Sequence, residues 1–276
     1  MKMKTHQPSF LYGTAWKEDR TEKLVIDALN SGFTGIDTAN QRKHYFEAAV
    51  GKGIAAFLKE SDLIREDLFL QTKFTYQNGQ DHRLPYDSKE PLAVQVLQSF
   101  ESSLDHLQTD YIDSYVLHGP SDDSEMHEND YEVWSVMEKL YAAGKVKKLG
   151  ISNVKINHIK ELYDKSHVKP HYVQNRCYAS TYWDREIRNF CSQNKITYQG
   201  FSLLTANVHE LTQESIEELC SKYKKTIPQI AFRFSQQVGM IPLTGTKNTS
   251  HMKQDLDIED FELTPQELES IENISF

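Results

Sequence analysis

Short runs of β-branched, aromatic and aliphatic residues alternate with stretches of helical apolar spacing from one end of this chain to the other. The strand candidates are Phe10 to Thr14, Thr34 to Thr38, Leu68 to Phe74, Tyr111 to His118, Lys147 to Asn153, Tyr172 to Cys177, Ile196 to Ser202 and Met240 to Thr244. Between them, apolar residues recur at helical intervals, as in Leu24, Ala28, Leu29 and again in Val94, Leu97, Leu104, Leu107. Eight strand-helix repeats in 276 residues predict an α/β fold of one kind, a single (β/α)8 TIM barrel with its parallel sheet covered by its own helices. Length alone would also suit two small domains. No Ser/Gly-rich linker or shift in composition divides the chain, so residues 1–276 are expected to form one barrel domain. A doubly wound fold would be expected to carry GxGxxG after a strand, or GxxxxGK[ST], and neither is present; Gly51-Lys52-Gly53 falls inside an apparent helix.

Charge narrows the partners. With 31 basic against 40 acidic side chains the formal net charge is −9. That balance lacks the basic footprint selected by phosphate backbones, which argues against nucleic acid or an anionic membrane as partner. An anionic small ligand would need local basic groups. Cys177, Cys191 and Cys220 are an odd number without CxxC spacing and read as reduced core thiols. The polar start of the chain shows no signal-peptide core and no run is apolar enough to span a bilayer, so a cytoplasmic location is expected. The remaining histidines, including His158, His167, His171 and His209, form no HExxH or other i, i+4 metal pair. Lys145 to Lys148 read as a solvated loop before the fifth strand.

In a barrel of this kind the loops after the strands build the active face. Asp37, Lys73 and His118 fall at the carboxyl ends of strands two, three and four, and Tyr45 lies in the loop after strand two. Tyrosine titrates near ~10 when unperturbed, so it needs a nearby cation to exchange protons at neutral pH; a lysine held by an aspartate supplies one. Taken singly, each has a plain structural reading as a packed aromatic, a loop cap or a surface charge. Together they make a plausible proton-transfer device.

Four successive blocks carry a resemblance. They are Gly32-Phe33-Thr34-Gly35-Ile36-Asp37-Thr38-Ala39, Gln71-Thr72-Lys73, Val116-Leu117-His118 and Leu149-Gly150-Ile151-Ser152-Asn153-Val154. In order and spacing the chain resembles the aldo-keto reductases, from Gly13 to about Leu263, and most closely a subset with a Lys-His-Tyr segment after the IDTA block. The resemblance implies carbonyl reduction with a nicotinamide cofactor and an Asp, Tyr, Lys, His tetrad, here Asp37, Tyr45, Lys73 and His118. One departure stands out. The family usually places its tyrosine five residues after the aspartate, where this chain has Arg42, and follows it with Gly-Asn-Glu. Anchoring on Glu47 and Val50-Gly51 makes Tyr45 the matching residue, reached through a longer loop.

By the same carry-over, Ser152, Asn153 and Gln174 match positions that hold the nicotinamide carboxamide. Phe201 falls where an aromatic stacks on the nicotinamide ring, and Ser202 and Leu204 lie in the loop expected near the pyrophosphate. Thr244, Gly245, Thr246 and Lys247 match the adenosine end, with Gln254 and Asp255 facing the adenine. A phosphate there would be met by backbone N–H groups at a helix start, by threonine hydroxyls and by Lys247. The places where relatives carry a lysine after the proline and a later arginine read Leu243 and a threonine or histidine. The implied cofactor is NADPH, with NADH possible.

The implied mechanism is hydride transfer to an aldehyde or ketone while Tyr45 donates a proton, its pKa lowered by Lys73, which Asp37 positions, and with His118 orienting the carbonyl oxygen. Trp16, Phe74 and Tyr76 follow strands one and three and are expected as apolar walls. No long carboxyl-terminal loop follows the helix begun at Leu263-Thr264-Pro265, so broad and weak substrate recognition is expected; the resemblance implies a monomer. The displaced tyrosine also admits a cofactor-bound regulatory or structural subunit with little turnover. A metal-dependent hydrolase on the same barrel would lack clustered ligands.

Overall fold

The computed structural model describes residues 7–276. Eight parallel strands close into a barrel in sequence order: β1 (Leu11–Gly13), β2 (Gly35–Asp37), β3 (Phe69–Phe74), β4 (Ile112–Leu117), β5 (Val146–Ser152), β6 (Tyr172–Arg176), β7 (Thr197–Phe201) and β8 (Met240–Thr244), with β8 pairing back onto β1. Each lies within or beside its expected run. The helices are α1 (Thr21–Ser31), α2 (Glu47–Glu60), α3 (Leu92–Leu107), α4 (Glu128–Ala142), α5 (Ile156–Lys165), α6 (Arg185–Gln193), α7 (Val208–Leu211), α8 (Glu214–Tyr223), α9 (Ile227–Gln237), α10 (Thr249–Leu256) and α11 (Pro265–Glu272). No helix among the described residues is long and apolar enough to cross a membrane.

The helices cover the sheet because each carries one apolar stripe. In α3 the buried positions are Val96, Ser99, Phe100, Ser103 and Leu107, the i, i+3, i+4, i+7 pattern of one face. Boundaries follow local chemistry. Helix α1 ends at Gly32, whose φ of 109° lets its N–H reach back to Ala28 O and Leu29 O. Helices α9 and α11 open with capping boxes, Thr226 with Gln229 and Thr264 with Glu267. The basic run near Lys145 is not a loop: Val146, Lys147 and Lys148 open β5, because pairing of Val146 with Ile112 of β4 takes up that backbone.

Two layers fill the barrel interior. At the amino-terminal end, Leu11, Phe69, Tyr172 and Ile241 form a buried apolar floor. Phe69 and Tyr172 come from β3 and β6, which are not neighbours, and their rings meet edge to face at 5.7 Å across the barrel. Above this floor polar side chains from β2, β3, β6 and β7 turn inward, and the chemistry begins there.

Helix α2 packs so closely on the end of α3 that a Cβ built on Gly51 would lie 2.0 Å from His106 O and 2.8 Å from Leu107 Cα. Alanine is the better helix former by about 1 kcal/mol, but overpacking against backbone costs about 1–3 kcal/mol. Gly51→Ala should therefore lower stability, read as a reduced urea midpoint with an unchanged slope.

Candidate active site

Strand alternation sends Asp37 of β2, Gln71 and Lys73 of β3, Gln174 of β6 and Gln199 of β7 into the barrel. Asp37 Oδ1 accepts from three donors: Lys73 Nζ at 2.6 Å, Gln71 Nε2 at 2.7 Å and Gln174 Nε2 at 3.0 Å. Gln199 ties the two other amides together, its Oε1 accepting from Gln71 at 2.8 Å and Gln174 at 3.0 Å. A carboxylate only accepts, so both amides must turn their NH2 groups toward it. Lys73 is fully buried and also donates to Thr38 O at 2.8 Å. Burial draws its pKa down, against the pull of Asp37, which favours the charged form.

On the cavity side of this pair stand Tyr45 and His118, both half-buried. The Lys73 ammonium lies 5.5 Å from the centre of the Tyr45 ring, and that ring lies 5.9 Å from the His118 ring. The four residues expected to act together are therefore brought together, with Tyr45 reached through the longer loop. That loop is held by Trp16, whose backbone N–H donates to His44 O at 2.8 Å and whose indole lies tilted against the His44 ring, with centroids 4.0 Å apart. One expectation is reversed. Burial, followed by the charge of Asp37, pushes the Tyr45 phenol up from its ordinary pKa rather than down. His118 is pushed the other way, to about 3, by burial and then by Lys73. Its ring is neutral at neutral pH, with Nδ1 2.7 Å from Thr75 Oγ1.

A cavity of about 640 Å³ runs from Tyr45 and His118 across the carboxyl ends of β7 and β8 to Asp255. Asp37, Ser152, Gln174, Phe201, Ser202 and Leu204 line it, as do Trp16 and the stretch from Thr244 through Gly245 and Thr246 to Lys247, with Gln254 and Asp255 at the far end. Three expected residues lie elsewhere. Asn153 turns its amide onto His118 O at 2.8 Å and Ser152 Oγ at 3.2 Å. Phe74 is fully buried on the helix side of the sheet, against Tyr76 and Tyr86. Tyr76 gives its hydroxyl to Asp130 Oδ1 at 2.7 Å. Both miss the cavity for one reason: Lys73 points inward, so Phe74 must point outward, and Thr75 is the next inward side chain. The start of α10 is also less open to an anion than expected, since Asn248 Oδ1 already accepts from Ser250 N and His251 N.

The cavity also holds cations that the sequence reading overlooked. Lys17 lines it, is 4% exposed and donates to Gly245 O. Burial, then the charge of Lys247, lowers Lys17 to about 8. Arg176 lines it too, exposed and without a hydrogen-bond or ion-pair partner among the described residues. Both were legible in principle: Lys17 follows Trp16 directly, and Arg176 stands two residues beyond inward-facing Gln174. A second cavity, of about 360 Å³ and lined in part by Arg42, Phe46, Arg83 and His106, meets the first at Tyr45. No three His, Cys, Asp or Glu side chains among the described residues come together as a metal site.

A closed parallel barrel whose strand ends frame a long groove, with a phenol and a neutral imidazole over a buried Lys-Asp pair, defines a barrel enzyme equipped to act on a ligand lying in that groove. The profile of the Aldo/keto reductase family matches residues 6–275, and the chain belongs to that family, one of NAD(P)H-dependent oxidoreductases. It is 29% identical over 251 residues to the glyoxal reductase of Bacillus subtilis, covering 91% of this chain and 82% of that one. It is likewise 29% identical to the methylglyoxal reductase of Escherichia coli K12, over 93% and 86% of the two chains. Among solved structures, a Bombyx mori aldo-keto reductase in complex with NADP superposes with a TM-score of 0.82 at 25% identity, covering 97% of this chain and 89% of the other.

Asp255 gives a test of the far end of the cavity. It is 3% exposed, accepts from Thr244 Oγ1 at 2.8 Å, and burial raises its carboxyl from 3.8 to about 6. A carboxyl whose folded pKa exceeds its unfolded one withdraws stability as pH rises through that interval, here from 3.8 to about 6. Asp255→Asn, which keeps an acceptor for Thr244, should stabilise the protein at pH 7 by up to about 3 kcal/mol and have little effect near pH 4. Urea denaturation at the two pH values checks it.

Proposed function

We propose that this protein reduces small aldehydes, dicarbonyl aldehydes of the glyoxal and methylglyoxal kind among them, with NADPH as the preferred cofactor and NADH accepted. The observation that carries the reading is the meeting of Tyr45 and His118 at one cavity wall with the Lys73-Asp37 pair directly behind. The two reductases of these aldehydes among its relatives support the substrate class.

The residues present fit a nicotinamide dinucleotide. Gln174 has committed its NH2 group to Asp37 and Gln199, so its Oε1 is left to accept from a carboxamide, beside the Ser152 hydroxyl. Phe201 offers a flat apolar face for the ring. Lys17, Lys247 and the unpaired Arg176 supply positive charge along the groove for the phosphates. When bound, the nicotinamide supplies the hydride.

The chain's own residues then handle the oxygen. Tyr45 is kept protonated by burial, which suits a proton donor. As negative charge develops on the carbonyl oxygen, the nearby Lys73 ammonium favours the phenolate that proton donation leaves behind. Asp37 positions that ammonium and balances its charge inside the barrel. Neutral His118 contributes a polar ring nitrogen to orient the oxygen and stays out of the acid-base cycle.

Tyr45→Phe should reduce kcat on methylglyoxal by about a hundredfold or more while NADPH still quenches tryptophan fluorescence; full activity in the variant removes the assignment, and binding without turnover in the wild type would favour a regulatory subunit. Since His118 titrates near 3, kcat should show no break near pH 6.5, and such a break lost in His118→Gln would contradict the neutral ring. Lys247→Ala should weaken NADPH more than NADH, with equal losses excluding 2′-phosphate recognition by Lys247.

A further inference from the structure

Resting on the reductase reading, we propose that Thr75 is a positioning residue for the reaction: its hydroxyl donates to His118 Nδ1 and fixes the ring in the tautomer that presents Nε2–H to the substrate oxygen. The contact is 2.7 Å, between inward side chains at the ends of β3 and β4. Proton direction follows from what else is within reach. Thr75 Oγ1 has no other hydrogen-bond partner among the described residues, and Thr75 is 6% exposed. If Nδ1–H were the donor, the hydroxyl proton would be buried without an acceptor, a loss comparable to that of a hydrogen bond. If the hydroxyl donates, both partners are satisfied and the remaining ring proton sits on Nε2, the nitrogen left over for the cavity that His118 lines. The ring is uncharged at working pH, so the choice lies between two neutral tautomers.

The rest of the surroundings hold His118 in place without setting its tautomer. Its backbone N–H donates to Phe74 O at 2.9 Å, and its carbonyl accepts from Asn153 Nδ2 at 2.8 Å. Neither touches the ring nitrogens. Thr75 in turn is held by its own backbone, whose carbonyl accepts from Tyr86 OH at 2.8 Å and Gln80 Nε2 at 3.4 Å. Those bonds survive a change of side chain, so Thr75→Val, which exchanges the hydroxyl for a methyl of similar size, removes one bond and leaves the frame. The wrong tautomer would aim a lone pair at the substrate oxygen, and repulsion there would grow as the oxygen gains charge. The effect therefore falls on kcat more than on cofactor binding.

The test combines nitrogen NMR with kinetics. In ¹⁵N-labelled wild-type protein, with His118 assigned by its disappearance in His118→Gln, Nε2 should resonate as a protonated nitrogen and Nδ1 as an unprotonated one that accepts a hydrogen bond. In Thr75→Val, the Nδ1 and Nε2 resonances should move toward each other as the proton divides between the two nitrogens, and kcat on methylglyoxal should fall about tenfold, with NADPH affinity unchanged. Thr75→Ser should restore both. A proton on Nδ1 in the wild type, wild-type kcat in Thr75→Val, or a Ser variant as impaired as Val would each overturn the proposal. Absence of aldehyde turnover in the wild type would instead sink the reductase reading, and the nitrogen shifts would still decide whether Thr75 fixes the ring.

Discussion

One buried carboxylate oxygen organises the interior of this barrel. Asp37 Oδ1 accepts from an ammonium and two amides that arrive from β3 and β6. A lone carboxylate at that depth would be costly to keep ionised, and a lone ammonium equally so. Each makes the other tolerable, and the two glutamine amides add donors to the same carboxylate oxygen. Lys73 is thus held at full burial within reach of the Tyr45 ring, and Gln174 is forced to turn its oxygen elsewhere. The orientation of the groove wall is a consequence of neutralising charge at its base.

The same reasoning explains the distribution of positive charge. In a chain of net charge −9, an anion in the groove has no favourable overall field to draw on. Its partners are local. Lys17 is kept close to the groove by the carbonyl of Gly245, at the cost of a lowered pKa. Lys247 and Arg176 also line the groove, without side-chain partners among the described residues. Lys17 and Lys247 stand together at the loop after β8, where Lys17 meets Gly245, and Arg176 stands apart at the end of β6.

Much of this was readable from residue order, because strands in a parallel barrel are short apolar runs and their carboxyl ends all face one way. Asp37, Lys73 and His118 could be placed from that rule, and Tyr45 by the family resemblance, anchored on Glu47 and Val50-Gly51. The errors share a physical origin. Phe74 and Tyr76 were expected at the cavity because they follow Lys73 and are apolar, whereas alternation across the sheet gives Thr75 that position. Arg176 follows from the same two-residue period. The direction of the Tyr45 shift, the withdrawal of Asn153 toward His118 O and the Asn248 cap depend on which partner each group finds in three dimensions, and no spacing in the sequence reports that.

The apolar floor has a further consequence. Leu11, Phe69, Tyr172 and Ile241 close the amino-terminal end of the barrel beneath the amide layer, and both cavities that touch Tyr45 lie among the loops on the opposite side. The interior is a dead end. On the proposed reading, a proton that leaves the phenol is replaced from the same side by which substrate enters and product departs, so traffic of matter and traffic of charge share one doorway. Whatever covers that doorway governs both at once.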